Sequence, residues 1–86
     1  MDINELISIV KEKLENQIVL QNIKIEDKSF LHKGHKGNKD DKFHLKITLI
    51  SAELSQLSKI DSNRKIYKIL ENELNKYIHS LQILIH

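Results

Sequence analysis

The chain has no cysteine, no proline and no tryptophan, and it has only two glycines in 86 residues. Without cysteine there is no disulfide, no thiolate nucleophile and no set of four thiolates of the kind that usually holds an iron–sulfur cluster. The two glycines, Gly34 and Gly37, sit in a lysine-rich stretch. No helix pattern follows them, so they do not form a phosphate-cradling loop. Aromatic residues make up 5% of the chain, too few to build the stacking platforms on which single-stranded nucleic acids are held.

Charge of one sign is also lacking. The formal net charge is +2, mildly basic and well short of a nucleic-acid-binding signature. No apolar run approaches the ~20 residues of a membrane span. The start, Met1-Asp2-Ile3-Asn4-Glu5, is acidic and shows no basic region ahead of an apolar one. A cytoplasmic protein with no membrane association is the expectation. A hydrophobic fraction of 40% beside 30% charged residues suits one small globular domain spanning residues 1–86. A chain this short leaves little room for an enclosed active-site cavity.

Hydrophobic periodicity is regular outside one stretch. Ile3, Leu6, Ile7, Val10 and Leu14 recur at three- and four-residue steps and predict a helix, with Asp2 as its cap and Glu5 three residues on. Ile23 and Ile25 alternate with Lys24 and Glu26, as in a strand with one wet face. Residues 28–42 lose all periodicity: five lysines, two histidines, two aspartates and both glycines read as a long exposed loop. Alternation returns at Phe43, Leu45, Ile47 and Leu49, with His44, Lys46 and Thr48 on the other face. Residues 51–57 read as a connector. Ser58, with Asp61 three later, caps a long second helix whose stripe is Ile60, Tyr67, Leu70, Leu74, Tyr77 and Ile78, with Ile66 and Ile69 beside it. Leu81, Ile83 and Ile85 close the chain as a strand.

The resulting order is α-β-β-α-β, an α+β fold. The first two strands can pair antiparallel, and the second and third are joined by a helix, which favours a parallel crossover. A three-stranded mixed sheet follows, with both helices packed on one face.

The residues bear on three kinds of chemistry. Ser29, Ser51 and Ser58 lie in no nucleophile elbow, and nothing points to an enzyme. Metal ligation is the sharper idea, because neutral imidazole is a common ligand for transition metals. His32 and His35 lie three apart in the loop, His44 lies near the start of a strand, and His79 lies at the junction of the second helix and last strand. Against this, loop histidines are commonly just solvated, and His79 also fits as a cation favoured at a helix C-terminus. Two imidazoles alone make an incomplete zinc site. Nucleic-acid contact is the third. The loop carries Lys28, Lys33, Lys36, Lys39 and Lys42, and the second helix carries Arg64, Lys65, Lys68 and Lys76, all able to meet phosphates. Asp40, Asp41, Glu71 and Glu73 offset them as part of a solvated surface.

An ordered set of residues then stands out. Asp27, Ser29, Leu31, His32, Gly34 and His35 precede His44, which opens a strand ending at Ser51. Ser58, Arg64 and Tyr67 follow, and then Ile78-His79-Ser80-Leu81. In order and spacing this resembles the BolA family over nearly the whole chain after the first helix. The resemblance implies a class II KH-like fold. Three departures are visible. Phe30 stands where the family usually has histidine. Leu54 and Gln56 stand in place of a Phe-x-Gly. Ser62-Asn63-Arg64 replaces the common Arg-His-Arg, which weakens a DNA-binding reading.

The resemblance also implies a partner. BolA-like proteins pair with monothiol glutaredoxins and share a [2Fe–2S] cluster. The glutaredoxin cysteine and glutathione supply thiolates, and the BolA-like chain supplies histidines. By position, the junction ligand is His79. The loop ligand falls at His35, with His32 as the neighbouring alternative. Such a chain holds no cluster stably by itself, and a monomer or weak homodimer is expected in isolation. Replacing thiolate by neutral imidazole removes negative charge from a cluster and raises its reduction potential. Imidazole binds metal only unprotonated, so such a site loosens as pH falls through the histidine range. The alternative is a regulator binding duplex DNA through Arg64, Lys65 and Lys68.

Overall fold

A computed structural model describes residues 1–29 and 43–86. The stretch expected to form most of the long loop, with His32, His35, Gly34, Gly37 and its lysines beyond Lys28, lies outside the described residues. The order is α1 (Ile3–Gln17), β1 (Asn22–Asp27), β2 (Phe43–Ile50), α2 (Ala52–Ser55), α3 (Lys59–Ile69), α4 (Glu71–Lys76) and β3 (Ile78–Ile85).

Helix α1 begins as its sequence predicts. The Asp2 carboxylate accepts a hydrogen bond from the Glu5 backbone N–H at 2.9 Å, satisfying one of the unpaired donors of the first turn. Leu6, Val10 and Leu14 form its buried stripe. The helix stops at Ile18, where a β-branched pair, Ile18-Val19, turns the backbone extended. Ile18 itself is buried in the core.

The sheet order is β1-β2-β3. Strand β2 lies in the middle, antiparallel to β1 and parallel to β3. Register aligns Ile25 with Ile47 and Ile47 with Ile83, so each apolar row crosses the sheet on one face. Leu45, Ile47 and Leu49 of the central strand are fully buried, and Ile23, Ile25, Leu81, Ile83 and Ile85 flank them half-buried. The helices cover this face, as expected. The core joins Leu6, Val10 and Leu14 of α1 to the β2 row, with Leu54, Ile66, Leu70 and Ile78.

Two stretches differ from the sequence reading. The expected connector at 51–57 contains the short helix α2. The Ser51 hydroxyl accepts from the Leu54 N–H at 3.2 Å and donates to the Val19 carbonyl at 2.8 Å, which pins this turn to the end of α1. Four residues are too few for periodicity to reveal.

The expected single long helix is two. Ser58 caps α3 through a 3.1 Å bond from the Asp61 N–H, as predicted. At Leu70, however, φ −97° and ψ 14° leave the helical region before α4 starts. Ile60, expected in the apolar stripe, is 65% exposed. It lies about 120° around the helix from Ile66, whereas Ser62 lies only about 40° away, so Ser62 takes the buried position.

The break has a second consequence. Glu73, expected on the solvated surface, is buried. Lys13 of α1 reaches both its carboxylate oxygens, at 2.9 and 2.7 Å, and ties α1 to α4. Lys13→Met would leave a buried carboxylate without its counter-ion, and is expected to cost about 2–3 kcal/mol in urea denaturation. The double variant K13M/E73L, which removes both charges, should recover most of that loss.

Candidate functional site

The described part of the site is built on an irregularity in the β2–β3 ladder. Phe43 pairs with Ile78, but its neighbour His44 pairs with Ser80, so His79 is an extra residue in the parallel pairing. The Phe43 N–H donates to the Tyr77 carbonyl at 2.8 Å, anchoring the strand just before the bulge. In a regular strand, residues three apart face opposite sides. The bulge lets Ile78 and Leu81 both face the core, and leaves His79 and Ser80 together on the exposed side. His79 thus belongs to β3 and not to the last turn of α4, where Lys76 is the basic residue. The helix-terminal-cation reading of His79 is corrected accordingly.

Beside the bulge, His44 is only 8% exposed although it faces away from α1 and α3. Its backbone N–H donates to the Ser29 hydroxyl at 3.0 Å, and its carbonyl accepts from the Lys28 N–H at 2.7 Å. Ser29 is itself held by a 2.9 Å bond from its N–H to the Asp27 carboxylate. The His44 ring bonds through Nδ1 to Ser80 Oγ at 2.5 Å. It also packs against the His79 ring, with centroids 5.0 Å apart and planes tilted by 55°.

Of the histidines expected to bind metal, His79 is placed here, and His35 and His32 lie outside the described residues. His44, which the sequence shows only as one wet-face position of a strand, packs its ring on that of His79. Register was the missing information, because only the pairing His44–Ser80 brings the two rings together. Among the described residues no three His, Cys, Asp or Glu side chains converge to hold a metal ion. A metal bound at His79 therefore needs ligands from outside this part of the chain.

The basic residues lie elsewhere. Arg64 and Lys68 are exposed on α3, which covers the opposite face of the sheet. Lys65 is half-buried and pairs with Glu53 at 2.6 Å. Lys13, Gln17, Lys65, Lys68 and Ile69 line a groove of about 590 Å³ between α1 and α3. Two of its three lysines are neutralised, Lys13 by Glu73 and Lys65 by Glu53. Hydrogen bonding from Lys65 holds the Glu53 carboxyl below its ordinary range, aided by the Val19 N–H and opposed by partial desolvation. No helix among the described residues is long and apolar enough to cross a membrane.

Comparison with known proteins identifies relatives of this chain and of its fold. The family model described as BolA-like protein matches residues 14–86. The chain is 29% identical over 75 residues to the DNA-binding transcriptional regulator BolA of Haemophilus influenzae, covering 87% of this chain and 70% of that protein. It is 32% identical over 79 residues to the chloroplastic protein BOLA1 of Arabidopsis thaliana, covering 88% of this chain but spanning only 49% of that relative's length. Among solved structures, the BolA domain of SufE1 from Arabidopsis thaliana superposes with a TM-score of 0.78 at 27% identity, covering 99% of this chain and 92% of that one.

The Glu53–Lys65 pair carries a pH signature. A carboxyl with a lowered folded-state pKa adds stability above the ordinary carboxylate range, and that contribution disappears as pH falls through the lowered value. Glu53→Gln should therefore melt slightly below the parent at neutral pH, and the gap should close in acid and narrow in high salt. Thermal melts across the acidic range check this.

Proposed function

The chain belongs to the BolA-like family, and from that membership we propose that it is a non-enzymatic partner of a monothiol glutaredoxin, with which it shares a [2Fe–2S] cluster. The cluster is cargo, handled in iron–sulfur trafficking or iron homeostasis. The carrying observation is the exposed bulge residue His79, whose ring packs on the buried His44. An imidazole displayed there is accessible to a docking protein while its strand remains anchored in the core.

In this reading the glutaredoxin cysteine and glutathione bring sulfur, and the chain brings nitrogen from His79. The second nitrogen comes from His35, with His32 as the neighbouring candidate. The division of labour suits a chain without cysteine. Neutral nitrogen in place of thiolate raises the cluster's potential and makes this side of the site the easier to release. The reading requires a reducing compartment containing glutathione, a requirement that the cytoplasm meets.

The test mixes the chain with a glutathione-loaded monothiol glutaredoxin and records visible absorbance and circular dichroism. His79→Ala should abolish or reshape the mixed cluster's spectrum. Of His35→Ala and His32→Ala, the former should have the larger effect. An unchanged spectrum and lifetime for His79→Ala contradicts the ligand assignment.

A second reading, a regulator of transcription acting on duplex DNA, draws on the name of the Haemophilus relative and on exposed Arg64 and Lys68. Three features weigh against it. Lys65 is tied to Glu53, Ser62 is buried with its hydroxyl on the Lys59 carbonyl, and Asn63 is neutral. With three exposed cations on α3, Lys59, Arg64 and Lys68, duplex affinity should fall with a log–log salt slope of about −3. A much steeper slope with sequence preference would favour the regulator.

A further inference from the structure

We propose that His44 is a positioning residue for His79, acting through Ser80 on the backbone of the bulge and through ring packing on the imidazole itself. The proposal deepens the reading of His79 as a ligand and rests on it.

The register passes from Phe43–Ile78 to His44–Ser80 around His79, so this residue has no opposite number on β2 and its direction is set by its neighbours. The residue after it, Ser80, is exposed, yet its hydroxyl is held at 2.5 Å by His44 Nδ1. That bond fastens β3 to β2 one position beyond the bulge, just as the bond from Phe43 N–H to the Tyr77 carbonyl does two positions before it. His79 is therefore braced on both sides.

The ring is braced as well. An exposed histidine has two side-chain torsions to settle before it can offer a nitrogen in one direction, and ordering them at binding weakens affinity. Packing against a buried ring restricts those torsions beforehand. His44 is suited to provide that wall. It is buried, its Nδ1 is engaged by Ser80, and its backbone N–H and carbonyl are held by Ser29 and Lys28. It cannot swing aside without breaking the same bond that fastens Ser80. Outer-shell residues that orient a ligand typically change metal affinity by 10–100-fold when removed.

The test uses Ser80→Ala, which deletes one exposed hydroxyl, His44→Phe, which keeps a ring but loses Nδ1, and Ser80→Thr, which keeps the hydroxyl. In the partner-free chain, NMR of the histidine side chains reads the His79 three-bond couplings and ring shifts. Ser80→Ala and His44→Phe should move the couplings toward rotamer-averaged values, and Ser80→Thr should stay with the parent. With the glutaredoxin, the first two should shorten cluster lifetime about tenfold and alter its circular dichroism. Unmoved His79 couplings in folded Ser80→Ala overturn the positioning role. If the parent chain forms no mixed cluster, the ligand reading fails, and the partner-free couplings still decide whether His44 orders His79. Should His44→Phe not fold, Ser80→Ala alone decides.

Discussion

The structure depends on keeping both Ile78 and Leu81 on the core face of the sheet. They are three residues apart on one strand, and a regular strand would expose one of them. The chain resolves this by adding His79 to the β2–β3 pairing as a bulge. Hydrophobic burial of Ile78, at 2% exposure, thus sets the position of a polar side chain that the core does not use. A site placed by core packing is hard to move without cost. That links the placement of the candidate ligand to the stability of the fold.

Around this constraint the two faces of the sheet divide the work. The face bearing Leu45, Ile47 and Leu49 is sealed by α1 and α3 and carries the stability. The other face carries His44, and the bulge beside it displays His79 and Ser80. The lysines of α1 and α3 belong to the sealed side, and two of those lining its groove are neutralised by carboxylates. The His44–His79 ring pair lies on the face opposite to these helices.

Much of this was legible in the sequence where a local signal existed. The Phe43–Leu49 alternation, the caps at Asp2 and Ser58 and the Leu6, Val10, Leu14 stripe all appear in the structure. The break at Leu70 was not legible, because neither glycine nor proline marks it. Leu74, Tyr77, Ile78 and Leu81 are spaced by three, one and three, which continues a helical stripe as well as it describes a bulged strand entry. Glu73 reads as surface charge until Lys13, sixty residues away, is seen to reach it. The contact of His44 with His79 follows only from strand register. His79 was singled out through the likeness to a family and through its place at a junction, and periodicity alone offered no reason to choose it.

In the proposed function this chain contributes a histidine nitrogen to a cluster whose sulfur comes from elsewhere. The direct measurement is pulsed electron paramagnetic resonance on the reduced mixed cluster, prepared with ¹⁵N-histidine in this chain and an unlabelled glutaredoxin. The expected result is ¹⁵N hyperfine coupling from a directly bound imidazole that is lost in His79→Ala. A reduced cluster showing no ¹⁵N coupling from this chain, or one whose coupling survives His79→Ala undiminished, contradicts it.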